Sequence, residues 1–309
     1  MRKKVFQSNI LLLLASIIWG FAFIAQRVGI KYVGSFTFNG IRFALGTISL
    51  IPLLLVTNYR TKKNKLNKSQ PKNKKSFETF KAGIIIGLML FAGVTLQQLG
   101  LEETTAGKAA FITGFYLILV PLFGVFFKQK INRSTWIAGI ISLAGLYLIS
   151  ITEEFTISRG DLLVFLGAFF WAAHILLIDR FTRKFDALKL SLLQYMFCSS
   201  LSLIVAFISE DINLNSIVQA SVPILYGGIG SVGIAYTLQI YGQKYARPSH
   251  AAVILSLESV FAAIGEFLIL GETMSFRAYT GCILMLAGVL TSQLAGINGY
   301  RQTKAVKSQ

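Results

Sequence analysis

Ten apolar segments recur along this chain, at 8–27, 36–57, 80–100, 106–127, 134–152, 160–179, 188–209, 221–243, 249–270 and 276–297. Each is close to the ~20 residues an α-helix needs to cross about 30 Å of hydrocarbon. In lipid every backbone N–H and C=O must be satisfied internally, so a spanning chain is a helix bundle or a closed barrel. Barrel strands alternate polar and apolar over about ten residues, whereas these runs are apolar all round, which leaves helices. Hydrophobic residues make up 54% of the chain and charged residues 14%, with a mean hydropathy of +0.64, outside the range of soluble domains. The expected class is an all-α integral membrane protein with ten transmembrane helices. The start, MRKKVFQSNILLLLASIIWG, mimics a signal peptide, but its apolar run continues to Ala25 without a small-x-small cleavage site, so it reads as the first helix.

Charge sets the expected orientation. Counted over alternating loops, 24 of the 30 Lys and Arg fall on the side of the N-terminus, nine of them between Arg60 and Lys81. The opposite side carries Arg27, Lys31, Lys108, Arg159 and Arg277 beside most of the acidic residues. The positive-inside rule then places both termini in the cytoplasm of a multi-pass cell-membrane protein. The net charge of +17 needs no nucleic acid as partner: the run KKNKLNKSQPKNKK reads as a loop facing anionic lipid heads of the bilayer. The longest loop, about 58–79, reads as a disordered connector, and no loop has room for a folded domain.

A phrase is written twice: TLQQLG at 95–100 and TLQIYG at 237–242, 142 positions apart. At the same offset Ala109-Ala110 falls on Ala251-Ala252 and Gly139 on Gly281; one further residue along, Leu143-Ala144-Gly145 falls on Leu286-Ala287-Gly288. Upstream, Trp19 matches Trp171 at an offset of 152, the longer basic loop absorbing the difference. The chain therefore reads as two five-helix repeats, 1–152 and 153–300, followed by a tail at 301–309. Five is odd, so the second repeat is inverted relative to the first, a building plan of secondary transporters with the substrate near the midplane between the halves.

The stretches IIWGFAF, FNGIRFALG and LVPLFGVFF, and above all LESVFAAIGEFLILGE running into GCILMLAGVL, resemble the two EamA domains of the drug/metabolite transporter superfamily over nearly the whole chain. The resemblance implies a bacterial inner-membrane carrier, commonly an exporter of amino acids or other small metabolites. The chain departs from the pattern at Ser259, where Pro usually follows the Glu, and at Glu266, where the pattern is usually apolar.

Polar residues inside the spans are the candidate pathway. Glu258 lies nine residues beyond Ser249, about 14 Å along a helix and near mid-bilayer, where a carboxyl is a functional-site hypothesis unless it only fastens helices. Glu266 follows on the same face and either extends a cation route or marks the interface. Arg42 either snorkels or binds a substrate carboxylate with its fixed fork of donors; its repeat counterpart is Gln194. Thr95, Gln98 and Glu102 share one helix face, as do Tyr236, Gln239 and Gln243, and Gln97 is the repeat equivalent of Gln239. Interhelical hydrogen bonding is the competing account of these amides. Tyr116 is the counterpart of Glu258, and Trp19, Trp171 and His174 form a candidate aromatic wall.

Other signals carry less. Gly228, Gly230 and Gly233 spell G-x-G-x-x-G inside a span, without the preceding strand a dinucleotide site needs, and read with Gly83 and Gly87 as close helix packing. Cys198 and Cys282 are isolated, and no hydrolytic or metal motif appears, so neither an enzyme nor a cofactor or metal is expected. The expected function is export of a small-molecule substrate by alternating access, driven by a gradient of protons exchanged at Glu258, with a homodimer left open. An uncoupled exchanger, and a membrane receptor or scaffold without flux, are the alternatives.

Overall fold

The computed structural model describes residues 2–64, 72–126, 131–150, 158–271 and 275–306, and among them every element is helical. In chain order these are α1 (Arg2–Gly29), α2 (Ser35–Asn64), α3 (Lys72–Gly100), α4 (Ala106–Thr113), α5 (Tyr116–Phe126), α6 (Arg133–Ser150), α7 (Arg159–Thr182), α8 (Ala187–Ser209), α9 (Leu214–Gln219), α10 (Ser221–Leu225), α11 (Thr237–Gln243), α12 (Pro248–Leu255), α13 (Glu258–Gly265) and α14 (Phe276–Val306). A π-helical segment, Tyr226–Tyr236, joins α10 to α11, and a second, Glu266–Leu270, prolongs α13. Eight units are long and apolar enough to span a bilayer, and α6 and α14 contribute shorter apolar helices, giving ten crossings.

Helix neighbours obey the exchange of one five-helix repeat for the other. α3 packs on α7, and its counterparts, the eighth crossing and α1, pack on each other. Likewise α3 against α8 has its counterpart in the eighth crossing against α2, and α1 against α12 and α13 in α7 against α4 and α5. The pairs α2–α8 and α6–α14 are their own counterparts. A pseudo-two-fold axis therefore runs through the bundle, relating the inverted halves.

The structure corrects the reading of two crossings as continuous helices. The fourth is broken between α4 and α5 and the ninth between α12 and α13, at repeat-equivalent positions: Gly114 corresponds to Ser256 and Tyr116 to Glu258. At each break the ladder tightens to three-residue turns, with Phe115 N–H donating to the Ile112 carbonyl and Leu257 N–H to that of Ile254. Ser256 Oγ also donates to the Val253 carbonyl at 2.9 Å, a side-chain bond that competes with the helix ladder and bends it. The eighth crossing, expected as a plain α-helix, is π-helical where Gly227, Gly228, Gly230 and Gly233 lower the stability of α-helix.

The basic connector expected at 58–79 is largely helical, because a helix leaving the bilayer continues as long as its own backbone bonds and tolerant side chains sustain it. α2 runs to Asn64 and α3 starts at Lys72, and residues 65–71 lie outside the described residues. α14 likewise reaches Val306, into the expected tail.

The α6–α14 seam is built on small residues. A Cβ on Gly281 would lie 2.5 Å from the Gly145 carbonyl oxygen and 2.9 Å from Ile149 N, and one on Gly145 would lie 2.6 Å from the Gly281 carbonyl oxygen. Gly281→Leu is expected to destabilise the protein by about 1–3 kcal/mol, the cost of overpacking. Gly230, whose Cβ would meet nothing nearer than 3.8 Å, is the control, and Gly230→Ala should leave the unfolding midpoint in detergent unchanged or slightly raised.

Candidate functional site

The broken crossings meet on the axis. Tyr116 opens α5, Glu258 opens α13, and Tyr116 Oη donates to Glu258 Oε1 at 3.0 Å. Both are buried, at 4% exposure each. They border a cavity of about 40 Å³. Five repeat-equivalent pairs line it: Trp19 with Trp171, Phe23 with Ile175, Gln97 with Gln239, Thr113 with Leu255, and Tyr116 with Glu258. The cavity is thus built around the pseudo-two-fold axis.

The remaining lining residues break the symmetry. Arg42 stands where the other half has Gln194, Tyr236 where it has Val94, and Gln26 where it has Ile178. Tyr236 is wedged between the two tryptophans, edge-on to Trp19 with centroids 4.6 Å apart and stacked on Trp171 at 6.2 Å. Trp171 Nε1 donates to Gln97 Oε1 at 3.0 Å, and Gln97 Nε2 donates to Gln26 Oε1 at 3.2 Å. Gln239 Oε1 is buried without a hydrogen-bond partner among the described residues.

Arg42 does not snorkel to an aqueous face: it is 2% exposed. Its guanidinium carbon lies 5.1 Å from the Phe43 ring centre and 5.5 Å from that of Phe38. Its Nε has no hydrogen-bond partner, and it forms no ion pair among the described residues.

Several expected site residues lie behind the cavity wall. His174 Nε2 and Gln194 Oε1 are 2.8 Å apart, and His174 packs edge-on against Trp171. Thr95 lies on α3 with its Oγ1 buried and without a hydrogen-bond partner among the described residues, Gln98 Nε2 reaches the Gln26 carbonyl at 3.5 Å and Gln243 Nε2 the Ile175 carbonyl at 3.5 Å. Glu102 leaves its shared face at the end of α3, where Ser35 Oγ donates to it at 2.5 Å. Glu266 accepts the Gly107 N–H at 2.8 Å, at the first turn of α4, and lies 3.9 Å from Arg27 Nη1. Gln26, Phe23, Ile175, Thr113 and Leu255 were not anticipated. Each is within a turn or two of an anticipated residue, and the 142 and 152 offsets already pair four of them.

Both ends of the bundle carry bridging contacts, and one pair recurs in the repeat frame. On the face opposite the termini, Lys108 Nζ meets Asp161 Oδ2 at 2.5 Å, and Thr104 Oγ1 donates to Asp161 Oδ1 at 2.7 Å. On the terminal face the counterparts of Lys108 and Asp161 are His250 and Asn9, with Nε2 and Oδ1 3.1 Å apart, while His250 Nδ1 lies 2.8 Å from Ser292 Oγ. Ser8 Oγ donates to the Gly242 carbonyl beside them.

Comparison with known proteins follows the same two-part layout. A model of the EamA-like transporter family matches residues 7–151 and again 158–293. An "Uncharacterized transporter" of Archaeoglobus fulgidus is 30% identical over 285 residues, covering 92% of this chain and 84% of that protein. "Uncharacterized transporter YoaV" of Bacillus subtilis is 23% identical, covering 89% of this chain and 92% of its own. A crystal structure superposes with a TM-score of 0.73 at 18% identity, covering 93% of this chain and 96% of that one, a likeness of fold.

Proposed function

Because the chain belongs to the EamA-like transporter family, we propose that it is a secondary carrier exporting a small metabolite, of the size of an amino acid, across the cell membrane. Transport proceeds by alternating access, with a proton exchanged for substrate at Glu258. One observation carries this reading: among the described residues the only carboxyl lining the axial cavity sits at a helix break and is bonded to its own repeat counterpart, Tyr116. Discontinuous helices meeting at the midplane of inverted repeats are the usual place for substrate and coupling ion in secondary carriers.

In the cycle, each half takes the conformation of the other. Separation of the first and ninth crossings at Asn9 and His250 opens the cavity to the terminal face, which the excess of basic loops assigns to the cytoplasm. Separation of the fourth and sixth crossings at Lys108 and Asp161 opens it to the other side. A cavity of about 40 Å³ must widen to admit a metabolite, so each separation also enlarges the site. A protonated Glu258 is neutral and a deprotonated one offers a charge to the ammonium end of an amino-acid cargo, so proton and cargo compete for one carboxyl.

A metabolite screen of overproducing cells, medium against cytosol, nominates the cargo, and purified protein in proteoliposomes tests the cycle. Counterflow of that cargo without a pH gradient, and its uphill movement when a pH gradient is imposed, are the expected results. Counterflow unaffected by the gradient would make the protein an uncoupled exchanger; binding without any flux would remove the carrier reading.

A further inference from the structure

Building on that reading, we propose that Arg42 is the anion subsite of the cavity and that the cargo is a small molecule bearing a single carboxylate, gripped by this guanidinium. A cation in the hydrocarbon region is costly unless it is paired or hydrated. Arg42 is all but fully buried, lines the cavity and forms no ion pair among the described residues. The rings of Phe38 and Phe43, 5.5 and 5.1 Å from the guanidinium carbon, attract the cation through their faces, and the Nε donor is left over. Glu258 lines the same cavity but is bonded to Tyr116 and does not pair with Arg42. The guanidinium is therefore without a bonded carboxylate among the described residues.

A structural requirement does not explain a charge at this position. In the inverted half the equivalent residue is Gln194, a neutral amide that is fully buried and bonded to His174 at 2.8 Å. The same frame thus packs without a charge. The guanidinium fork matches a carboxylate in geometry, and one cation balances one negative charge; a phosphate dianion would bring an uncompensated charge into a low-dielectric site. Elsewhere the cavity is lined by the rings of Trp19, Trp171 and Tyr236, which suit an apolar body on the cargo. Since only one half supplies the fork, the anionic end of the cargo stays with that half as the halves exchange conformations.

The probes are matched series: α-amino acids and small monocarboxylates, each beside its carboxamide, added to the purified protein in detergent while its thermal unfolding is followed. At least one acid should raise the midpoint and its amide should not, since only the acid pairs with the guanidinium. Affinity for that acid should fall by at least about 30-fold in Arg42→Gln, the loss expected on truncating a buried charge pair. Without ligand, Arg42→Gln should be as stable as the parent or more so, whereas a packing role for Arg42 predicts lower stability with the acid response retained. Arg42→Lys, which keeps the charge but loses the fork, gives the same comparison if the Gln variant does not yield folded protein. Amides as effective as acids, no acid active in the series, or an undiminished response in either variant would overturn the proposal. Failure of transport alone leaves these binding outcomes measurable, so the two readings fail separately.

Discussion

Glu258→Gln protein in proteoliposomes is expected to keep cargo-for-cargo exchange but to lose accumulation driven by a pH gradient. The loss should be about 5–150-fold, the range of a 1–3 kcal/mol coupling between two ligands. Glutamine preserves the length of the side chain and can still accept the hydrogen from Tyr116 Oη that Glu258 accepts at 3.0 Å, so the helix break should keep its partner. What disappears is the ability to be neutral in one half of the cycle and charged in the other. Because Glu258 is the only carboxyl among the described residues lining the cavity, no described carboxyl beside it can take over the proton. Tyr116→Phe separates geometry from charge: it removes the bond and leaves the carboxyl, so coupling should survive while the rate falls. If Glu258→Gln still accumulates cargo along a pH gradient with an unaltered pH profile, the proton is carried elsewhere and Glu258 is a fastener between α5 and α13.

How much of this was legible beforehand follows from the physics of each signal. Membrane spans announce themselves by length and hydropathy, so ten crossings and two matched halves could be read from residues such as Trp19, Trp171, Gln97 and Gln239. The pairing of Tyr116 with Glu258 was legible as an offset, and their bond across the axis is what that offset means in space. The breaks beside them were not legible. Pro121 is the conspicuous breaker of the fourth crossing, yet it lies inside α5, while the turns tighten at Gly114 and Ser256, residue types that also occur within continuous membrane helices.

The π-helical Tyr226–Tyr236 segment was hidden for a different reason. Its apolar run is compatible with either helix, and the glycines that favour the wider turn equally favour close packing: a Cβ on Gly228 would lie 2.7 Å from Leu45 Cβ. Arg42 shows the limit of local reasoning from the other side. Six residues into a span, snorkelling and substrate binding look alike, and only its burial beside Phe38 and Phe43 shows that the side chain never reaches an aqueous face.

Locking either end of the bundle should stop transport. The contacts Lys108–Asp161 and His250–Asn9 occupy one repeat-equivalent position on opposite faces, and alternating access requires each to part while the other holds. With Cys198→Ser and Cys282→Ser as background, the pair Lys108→Cys with Asp161→Cys, or Asn9→Cys with His250→Cys, can be bridged by a short bifunctional thiol reagent. A bridge that holds one conformer at about 99% or more should reduce flux to roughly 1% of the reduced protein, and a reductant that cleaves the bridge should restore it. The two locks should also differ in accessibility: a thiol reporter in the cavity reacts only from the face that has not been bridged. The chemistry of the two contacts adds a second contrast. The pair on the face opposite the termini is an ion pair, with Asp161 also capping α7 through Ser158, whereas the terminal pair is an imidazole–amide contact. Asp161→Asn, which removes the ion pair between Asp161 and Lys108, should therefore shift the resting population toward opening on that face, read as faster labelling of the same reporter from that side. A bridged protein of either kind that transports at the reduced protein's rate would show that these crossings move together, and the exchange of conformations between the halves would have to be abandoned.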